Sequence, residues 1–549
     1  MSEYKSAKEA FVSGMTGSSI GHVNAISAVA LASIALHSSL KSRLPATSAL
    51  QFVAECIVLV LPLLLSMTLF TLKPGTLIFA LLFPTSIFLL FPPRESGTPL
   101  PSNTFRAPSP TGSRPAAPEK SEIAPLPALT TYRAHMMLMT ILGILAVDFP
   151  VFPRALAKCE TYGVSLMDLG VGSFVFSQGV VSAIPLIRDP AYLTAPFAPK
   201  LQTVLRKTAP VIALGLVRVL LVKSTEYPEH ATEYGTHWNF FITLALLPVL
   251  QVLLHPLIAR MPVAALGSLV AVAHQLALSF GGLEGYVLDA PRVGVFSANK
   301  EGIVSLTGYL AIHLLGLSAG TLILPPTPSH FRRQQRAQLV RTKSTPHAGA
   351  DTDTDNDSDE DISGKRVRTK AKSESAQRQN DKTAIELVSY AVVWWVLLGA
   401  TRALGGDEGV SRRMANLSYV LWIAAFNTSF IFGYLCLDLF FFPSPGTRSV
   451  YSATSKLKVP AEKVQARVSS AHAAEAEKAG SSGPPALLDA INRNSLVLFL
   501  LANVATGLIN ISMGTMYASD TLAMAVLSAY AMGVCAVAWR FRGRRIWYF

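Results

Sequence analysis

Apolar and polar stretches alternate along the whole chain, and the apolar ones are long. Thirteen runs lie near residues 20–40, 52–72, 75–92, 132–152, 165–187, 209–223, 237–257, 262–281, 302–324, 384–401, 415–442, 494–515 and 521–539. Most of them approach the length, about 17 to 25 residues, that an α-helix needs to cross a bilayer. The pattern predicts an all-α polytopic membrane protein with about 13 transmembrane helices. The first run is followed by "KSRLP" rather than a small-residue cleavage site, so it is expected to act as an uncleaved targeting signal.

Three polar inserts interrupt the series. Residues 93–131 are Pro/Ser-rich, residues 325–383 combine Arg/Lys clusters with "DTDTDNDSDED", and residues 443–490 are rich in Ala, Ser and Lys. Such compositions bury too little apolar surface to fold alone, and disordered cytosolic loops within one membrane domain, residues 1–549, are expected. No internal repeat is evident, which weakens a transporter built from duplicated halves.

Composition agrees with a lipid solvent. Half of the 549 residues are hydrophobic and 15% are charged, against about 25% in soluble domains. Mean hydropathy is +0.40. Four scattered cysteines, Cys56, Cys159, Cys436 and Cys535, exclude a disulfide framework and a zinc site.

The net charge of +13 is unevenly placed. Loops after odd-numbered spans and the C-terminal "RFRGRR" hold 35 of the 47 Lys and Arg residues. The positive-inside tendency puts those loops and the C-terminus in the cytosol, and an odd span count puts the N-terminus in the lumen. Long loops inflate this contrast, so the basic cluster tight against the last span carries most of the assignment. Topology and anionic lipid, at about 1 kcal/mol per residue, account for the basic excess, and no nucleic-acid partner is needed.

Unusual polar residues gather on the opposite, lumenal side. In "GILAVDFPVFPRALAKCETYGVSLMDLGVG" an apolar run ends at Asp148, two prolines follow, and then come Arg154, Lys158, Cys159 and Glu160, with Asp168 further on. The loop "KSTEYPEHATEYGTHWNFF" contains His230, Glu233, His237, Trp238 and Asn239, and "FSANKEG" contains Asn299 and Lys300. Charges held inside a bilayer cost on the order of 3 kcal/mol unless they face a cavity or a partner, so their clustering points to a polar pocket on that side. Plainer roles stand beside this one: Arg154 and Lys158 could snorkel, Asp148 could cap or pair with them, and Asp168 fits a helix N-terminal acid. "HATEYGTH" matches no zinc spacing, and HExxH, GxSxG and GxxxxGK[ST] are absent. Gly170 and Gly172 of "GVGSFVFSQG" read as close helix packing. From topology alone, a transporter or flippase using Asp148 and Asp168 stays open.

Longer segments go further. "AVDFPVFPRALAKCETYGVSLMDLGVGSFVFSQGVVS", "TEYGTHWNFFITLALLP", "FSANKEGIVSLTGY", "SRRMANLSYVLWIAAFN" and "FLLANVATGLINISM" resemble the inositol acyltransferase family of GPI-anchor biosynthesis, and "FVSGMTGSSIGHVNAIS" also fits. The resemblance spans nearly all the membrane portion and leaves out the polar inserts. It implies an endoplasmic reticulum enzyme that moves a long-chain acyl group, typically palmitoyl, from acyl-CoA to the inositol ring of glucosaminyl-phosphatidylinositol on the lumenal side. Acyl-CoA is then a co-substrate, with no permanently bound cofactor or metal. Carried onto this chain, the family's pair is Asp148 and Lys158.

Those residue types suit the chemistry. An inositol hydroxyl is a weak nucleophile and needs a positioned base; burial strengthens a carboxylate in that role. Asp148 is expected as base and Lys158 as electrostatic partner of the thioester oxyanion, with Pro150 and Pro153 folding Lys158 back toward Asp148. His230 or His237 is the alternative base. An acyl-enzyme on Cys159 lacks an evident base. Arg154, Asp168, His230, Glu233, His237, Trp238, Asn239, Asn299 and Lys300 form the candidate substrate-binding set.

Overall fold

Every apolar run becomes a helix in the computed structural model, which describes residues 7–8, 10–11, 13–41, 43, 48–91, 126–224, 231–343, 378–403, 409–442 and 483–546. The first helices are α1 (Ile20–Leu40), α2 (Ala49–Met67, widened into a π-turn at Cys56–Val60), α3 (Pro74–Leu90), α4 (Pro127–Ala146) and α5 (Leu166–Arg188). Next come α6 (Phe197–Ser224), α7 (Phe240–Leu253), α8 (Val263–Ser279), α9 (Leu283–Asp289), α10 (Lys300–Ile323) and α11 (His330–Lys343). The chain ends with α12 (Asn380–Ala403), α13 (Leu417–Phe441), α14 (Ala486–Arg493), α15 (Ser495–Ser512) and α16 (Asp520–Arg540). Local chemistry sets many of the starts. Ser19, Ser165, Asn239, Asn416 and Ser519 accept backbone N–H groups as N-caps, and prolines open α3 and α4.

The expected count of spans is met in part. Among the described residues, nine helices are long and apolar enough to cross a membrane, or ten if α8 and α9 form one span bent by 63°. That bend falls at Gly281 and Gly282, and Gly282 takes φ +69°, a region that favours glycine. α3, with 17 residues, sits at the lower limit of a span, α7, with 14, falls short of it, and α6 is a charge-bearing helix with Lys200, Arg206, Lys207 and Arg218 along it.

The polar inserts are shorter than their composition implied. Residues 127–131 already belong to α4, residues 330–343 form α11, and residues 380–383 open α12. Residues 486–493 form α14, whose Leu487, Leu488, Ala490 and Ile491 are buried. Residues 92–125, 344–377 and 443–482, the bulk of the inserts, lie outside the described residues.

The centre is built by α4, α5, α10 and α13. α5 and α10 touch backbone to backbone: a Cβ on Gly179 would run into the His313 carbonyl, and one on Gly316 or Gly320 into the carbonyl of Phe176 or Val180. Small residues permit such close crossings, which supply packing where lipid gives no hydrophobic drive. Gly172 packs likewise against Ile423 of α13, as expected for that glycine. On the outside, α3 and α15 expose Phe79, Leu90, Val504 and Ile511, as a lipid-facing surface requires.

Helix ends sort onto two faces. On one, Gly163 N–H donates to Val410 O at 2.8 Å and Thr236 N–H to Ala298 O at 3.0 Å, tying together the loops before α5, α7, α10 and α13. On the other, Lys41 donates to Gly483 O at 3.1 Å, Leu487 N–H to Glu55 at 2.7 Å, and Asn494 to Arg544 O at 3.2 Å.

Candidate active site

The loop after α4 owes its shape to its prolines. A residue before proline is biased away from helical backbone, so α4 ends ahead of Pro150, and Asp148 and Phe149 close it with i→i−3 bonds to Leu145 and Ala146. Phe149 and Phe152 are completely buried and anchor the turn. Arg154 follows in a short 3₁₀ turn, Arg154–Leu156. Its guanidinium donates to Phe149 O at 3.1 Å and to Phe152 O at 2.8 Å, satisfying carbonyls that the broken helix leaves open. Burial pushes the Arg154 pKa down to about 10, with Asp148 opposing the shift, so the group stays charged at neutral pH.

Asp148 is buried, and its partners come from distant segments. Asn510 of α15 donates to its Oδ2 at 2.8 Å, and the Lys8 ammonium lies 3.4 Å from its Oδ1. Lys158 is elsewhere: its Nζ donates to both carboxylate oxygens of Glu233 at 2.9 Å. The expected return of Lys158 onto Asp148 is therefore not what the loop does. The prolines break the helix but send the chain onward, where the Cys159 N–H is held by Asp168 at 3.0 Å and Lys158 reaches the turn before α7.

Asp168 is a structural hub. It accepts Ser165 Oγ at 2.8 Å and Arg412 Nε at 2.6 Å, while Tyr419 donates to its backbone carbonyl at 2.8 Å. Asp168 is fully buried and the Arg412 side chain only 2% exposed, so the pair pins the loop before α13 under the start of α5. Glu301, also fully buried, does the same with Arg413 at 2.9 Å and Arg292 at 3.0 Å. Burial, and then the Asp168 carboxylate, push the Cys159 thiol well above its ordinary range, the opposite of what a nucleophilic cysteine needs.

The remaining candidates divide between framework and cavity. Asn239 caps α7 and donates to Gly215 O at 2.7 Å. Asn299 accepts the His237 backbone N–H at 2.8 Å, and Lys300 donates to Ala290 O at 2.5 Å, so both serve to join loops. Gly235, at φ +116°, lets that turn lie against Asn299, where a Cβ would collide. The His237 side chain is exposed, with its ring nitrogen 2.8 Å from Thr236 Oγ1. His230 lies outside the described residues. Among the described residues no group of three His, Cys, Asp or Glu side chains is placed to hold a metal.

A cavity of about 780 Å³ runs beside α4, α5, α7 and α15. Lys158, Glu233, Trp238 and Asn239 line one end, and Arg133, Pro185 and Asn492 lie toward the other. Its wall follows α5 from Leu166 to Pro185, about 28 Å at 1.5 Å per residue. That approaches the hydrocarbon thickness of a bilayer, about 30 Å. Gly143 and Gly170 line it, so Gly170 keeps space open here rather than packing a helix. Asp148 is not among the lining residues, although it shares a loop with Lys158.

Lys8, Asn510, Arg412 and Arg413 were not singled out from sequence. "SRRMANLSYV" carried a signal, two adjacent arginines ahead of an apolar run, whereas nothing local marked Lys8 or Asn510.

A profile of the GWT1 family matches residues 4–541. GPI-anchored wall transfer protein 1 of Cryptococcus neoformans var. grubii is 42% identical over 440 residues, 77% of this chain and 63% of that protein. The chain thus spans somewhat less than two thirds of that relative. Proteins of the same name from Gibberella zeae and Aspergillus oryzae are 36% and 37% identical, over 97% and 98% of this chain and 96% and 97% of their own lengths. By both profile and relatives, the chain belongs to the GWT1 family, the inositol acyltransferase family of GPI-anchor biosynthesis that its motifs resemble.

Proposed function

We propose that this protein is an O-acyltransferase of the endoplasmic reticulum membrane that moves a palmitoyl group from acyl-CoA to the inositol ring of glucosaminyl-phosphatidylinositol. The observation that carries the reading is the cavity: bilayer-long, mostly apolar, and ending at Lys158. An acyl chain fits along its length and leaves the thioester at the charged end. The chain crosses thirteen times in this reading, with the Asp148 face lumenal and the C-terminus cytosolic, so the cavity also gives acyl-CoA a route across the membrane.

The chemistry is a direct transfer. The inositol hydroxyl oxygen adds to the thioester carbonyl while its proton passes to Asp148. Lys158 has three N–H donors, and Glu233 takes two, leaving one for the oxyanion. The C–S bond then breaks, the ester remains on inositol, and Asp148 returns the proton to the departing thiolate of CoA. Asp148 and Lys158 come from one loop, ten residues apart, and in this reading the Asp148 carboxylate, buried at rest, opens toward the cavity end where Lys158 holds the thioester.

A second reading exchanges the base: Glu233 is a carboxylate that lines the cavity itself. Transport is disfavoured by position, since Asp148 and Asp168 both lie at helix ends and Asp168 is locked to Arg412. The test is transfer of labelled palmitoyl from palmitoyl-CoA to glucosaminyl-phosphatidylinositol by purified protein. Asp148→Asn is expected to accumulate normally and lose transfer; near-normal transfer by Asp148→Asn would remove it as base.

A further inference from the structure

The segment ahead of α1 lies along the loop between α4 and α5. Ser18 N–H donates to Val164 O at 2.6 Å in an isolated antiparallel bridge. Glu160 accepts the Gly14 N–H on its carboxylate at 2.7 Å and donates its own N–H to Met15 O at 3.3 Å. Gly17 and Gly163 take φ of +82° and +145°, and a Cβ on either would strike the facing backbone or the Cys159 sulfur. Nearer the terminus, the Phe11 ring stacks on the Arg154 guanidinium at 4.1 Å. The segment is a strap over the loop, and Lys8 stands at its far end.

We infer that Lys8 is a positioning residue for the transfer: the strap carries its ammonium to Asp148 as the counter-charge that keeps this buried carboxylate ionised and in place. The inference rests on Asp148 being the base. The Lys8 and Asp148 side chains are 8% and 3% exposed, so water does little for either charge. A carboxylate taken out of water without a cation tends to become neutral, and a neutral acid cannot accept the hydroxyl proton.

Among the described residues, Lys8 is the cation whose charged nitrogen forms an ion pair with the Asp148 carboxylate itself. Asn510 orients the carboxylate but is uncharged; it donates to Asp148 at 2.8 Å and accepts Lys8 at 2.9 Å and Thr515 at 3.0 Å on its own oxygen. Lys8, Asp148 and Asn510 thus close a ring drawn from three distant segments. The charged groups facing Asp148 are Lys8 from the strap and Arg154 from its own loop; α15 and the turn after it contribute Asn510 and Thr515. Arg154 aims its Nε and Nη2 at the Phe149 and Phe152 carbonyls, where it holds the turn. Lys8 takes no part in the proton transfer, and Asp148 carries the proton from hydroxyl to thiolate.

The experiment measures kcat against pH for the purified full-length protein, with palmitoyl-CoA and glucosaminyl-phosphatidylinositol. It compares wild type with Lys8→Gln, Lys8→Met and Lys8→Arg. Lys8→Gln keeps a hydrogen-bond donor for Asn510 and removes the charge alone. The neutral variants are expected to move the acid limb upward by about one pH unit, a roughly tenfold slower rate on the acid side, and to recover at alkaline pH. Lys8→Arg is expected to keep the wild-type limb. An unmoved limb in Lys8→Gln, or an equal loss at every pH, would overturn the inference. Asp148→Asn measured alongside separates the two ideas: its activity condemns the base, whereas its inactivity with an unmoved Lys8→Gln limb condemns only Lys8.

Discussion

Lys158 and Glu233 form a bidentate ion pair at the rim of the cavity, both carboxylate oxygens lying 2.9 Å from the ammonium. The two side chains are 32% and 20% exposed, so the pair is neither a free surface contact nor a sealed core contact. Partly solvated pairs of this kind add little to stability, about 1 kcal/mol or less. Their effect is on where the ammonium points.

Glu233→Gln should therefore lower kcat by about tenfold or more while leaving the unfolding temperature in detergent nearly unchanged, because a mispointed donor costs transition-state stabilisation before it costs fold. Steady-state transfer and thermal unfolding of the same preparation check this. A large fall in unfolding temperature would show that the pair is structural instead.

Arg412→Met should behave in the opposite way. Its partner Asp168 is completely buried, and leaving a buried charge unpaired costs about 3 to 5 kcal/mol. The expected result is poor accumulation in the membrane, whereas Lys158→Ala accumulates normally and loses transfer. Quantitative blotting of membranes carrying each variant distinguishes the two.

Gly143 faces open space, with nothing within 4 Å of a Cβ built there, and it lines the cavity. Gly143→Leu should fold, since leucine is the better helix former by up to about 1 kcal/mol, yet fill part of the cavity. Kcat/KM for palmitoyl-CoA is expected to fall about tenfold relative to a shorter acyl-CoA. Competition between the two donors reads this directly.

Cys159 offers a pH test. Its thiol is pushed up by burial and by Asp168, so it stays protonated through neutral and mildly alkaline pH. Thiol-directed reagents between pH 6 and 8 should leave transfer untouched at this site, and Cys159→Ala should retain activity within about threefold. Loss of transfer in a well-accumulated Cys159→Ala would revive an acyl-enzyme.

How much of this was legible beforehand depends on the distance over which each feature is decided. Helices were legible because apolar length, proline starts and Ser or Asn caps act within a few residues, and the break after α4 followed from Pro150 and Pro153. Insert edges escape local reading at α11 and α14 for a matching reason: "ALLDAINR" is short and balances apolar against polar residues, and only its one-sided burial of Leu487, Leu488 and Ile491 makes it a packed helix.

Sequence by itself thus determined the helical membrane class and the family, and Asp148, Lys158, Glu233 and Trp238 of the proposed site were all named from their loops. Tertiary structure alone decided who holds whom. Lys158 meets Glu233 across 75 positions, Asp168 meets Arg412 across 244, and Asp148 meets Asn510 across 362. A buried charge must find a counter-charge or donor, but nothing local specifies which. That choice falls to the packing of α4, α5, α13 and α15, which brings their ends onto one face and sends Lys158 to the cavity and Asp148 to the strap.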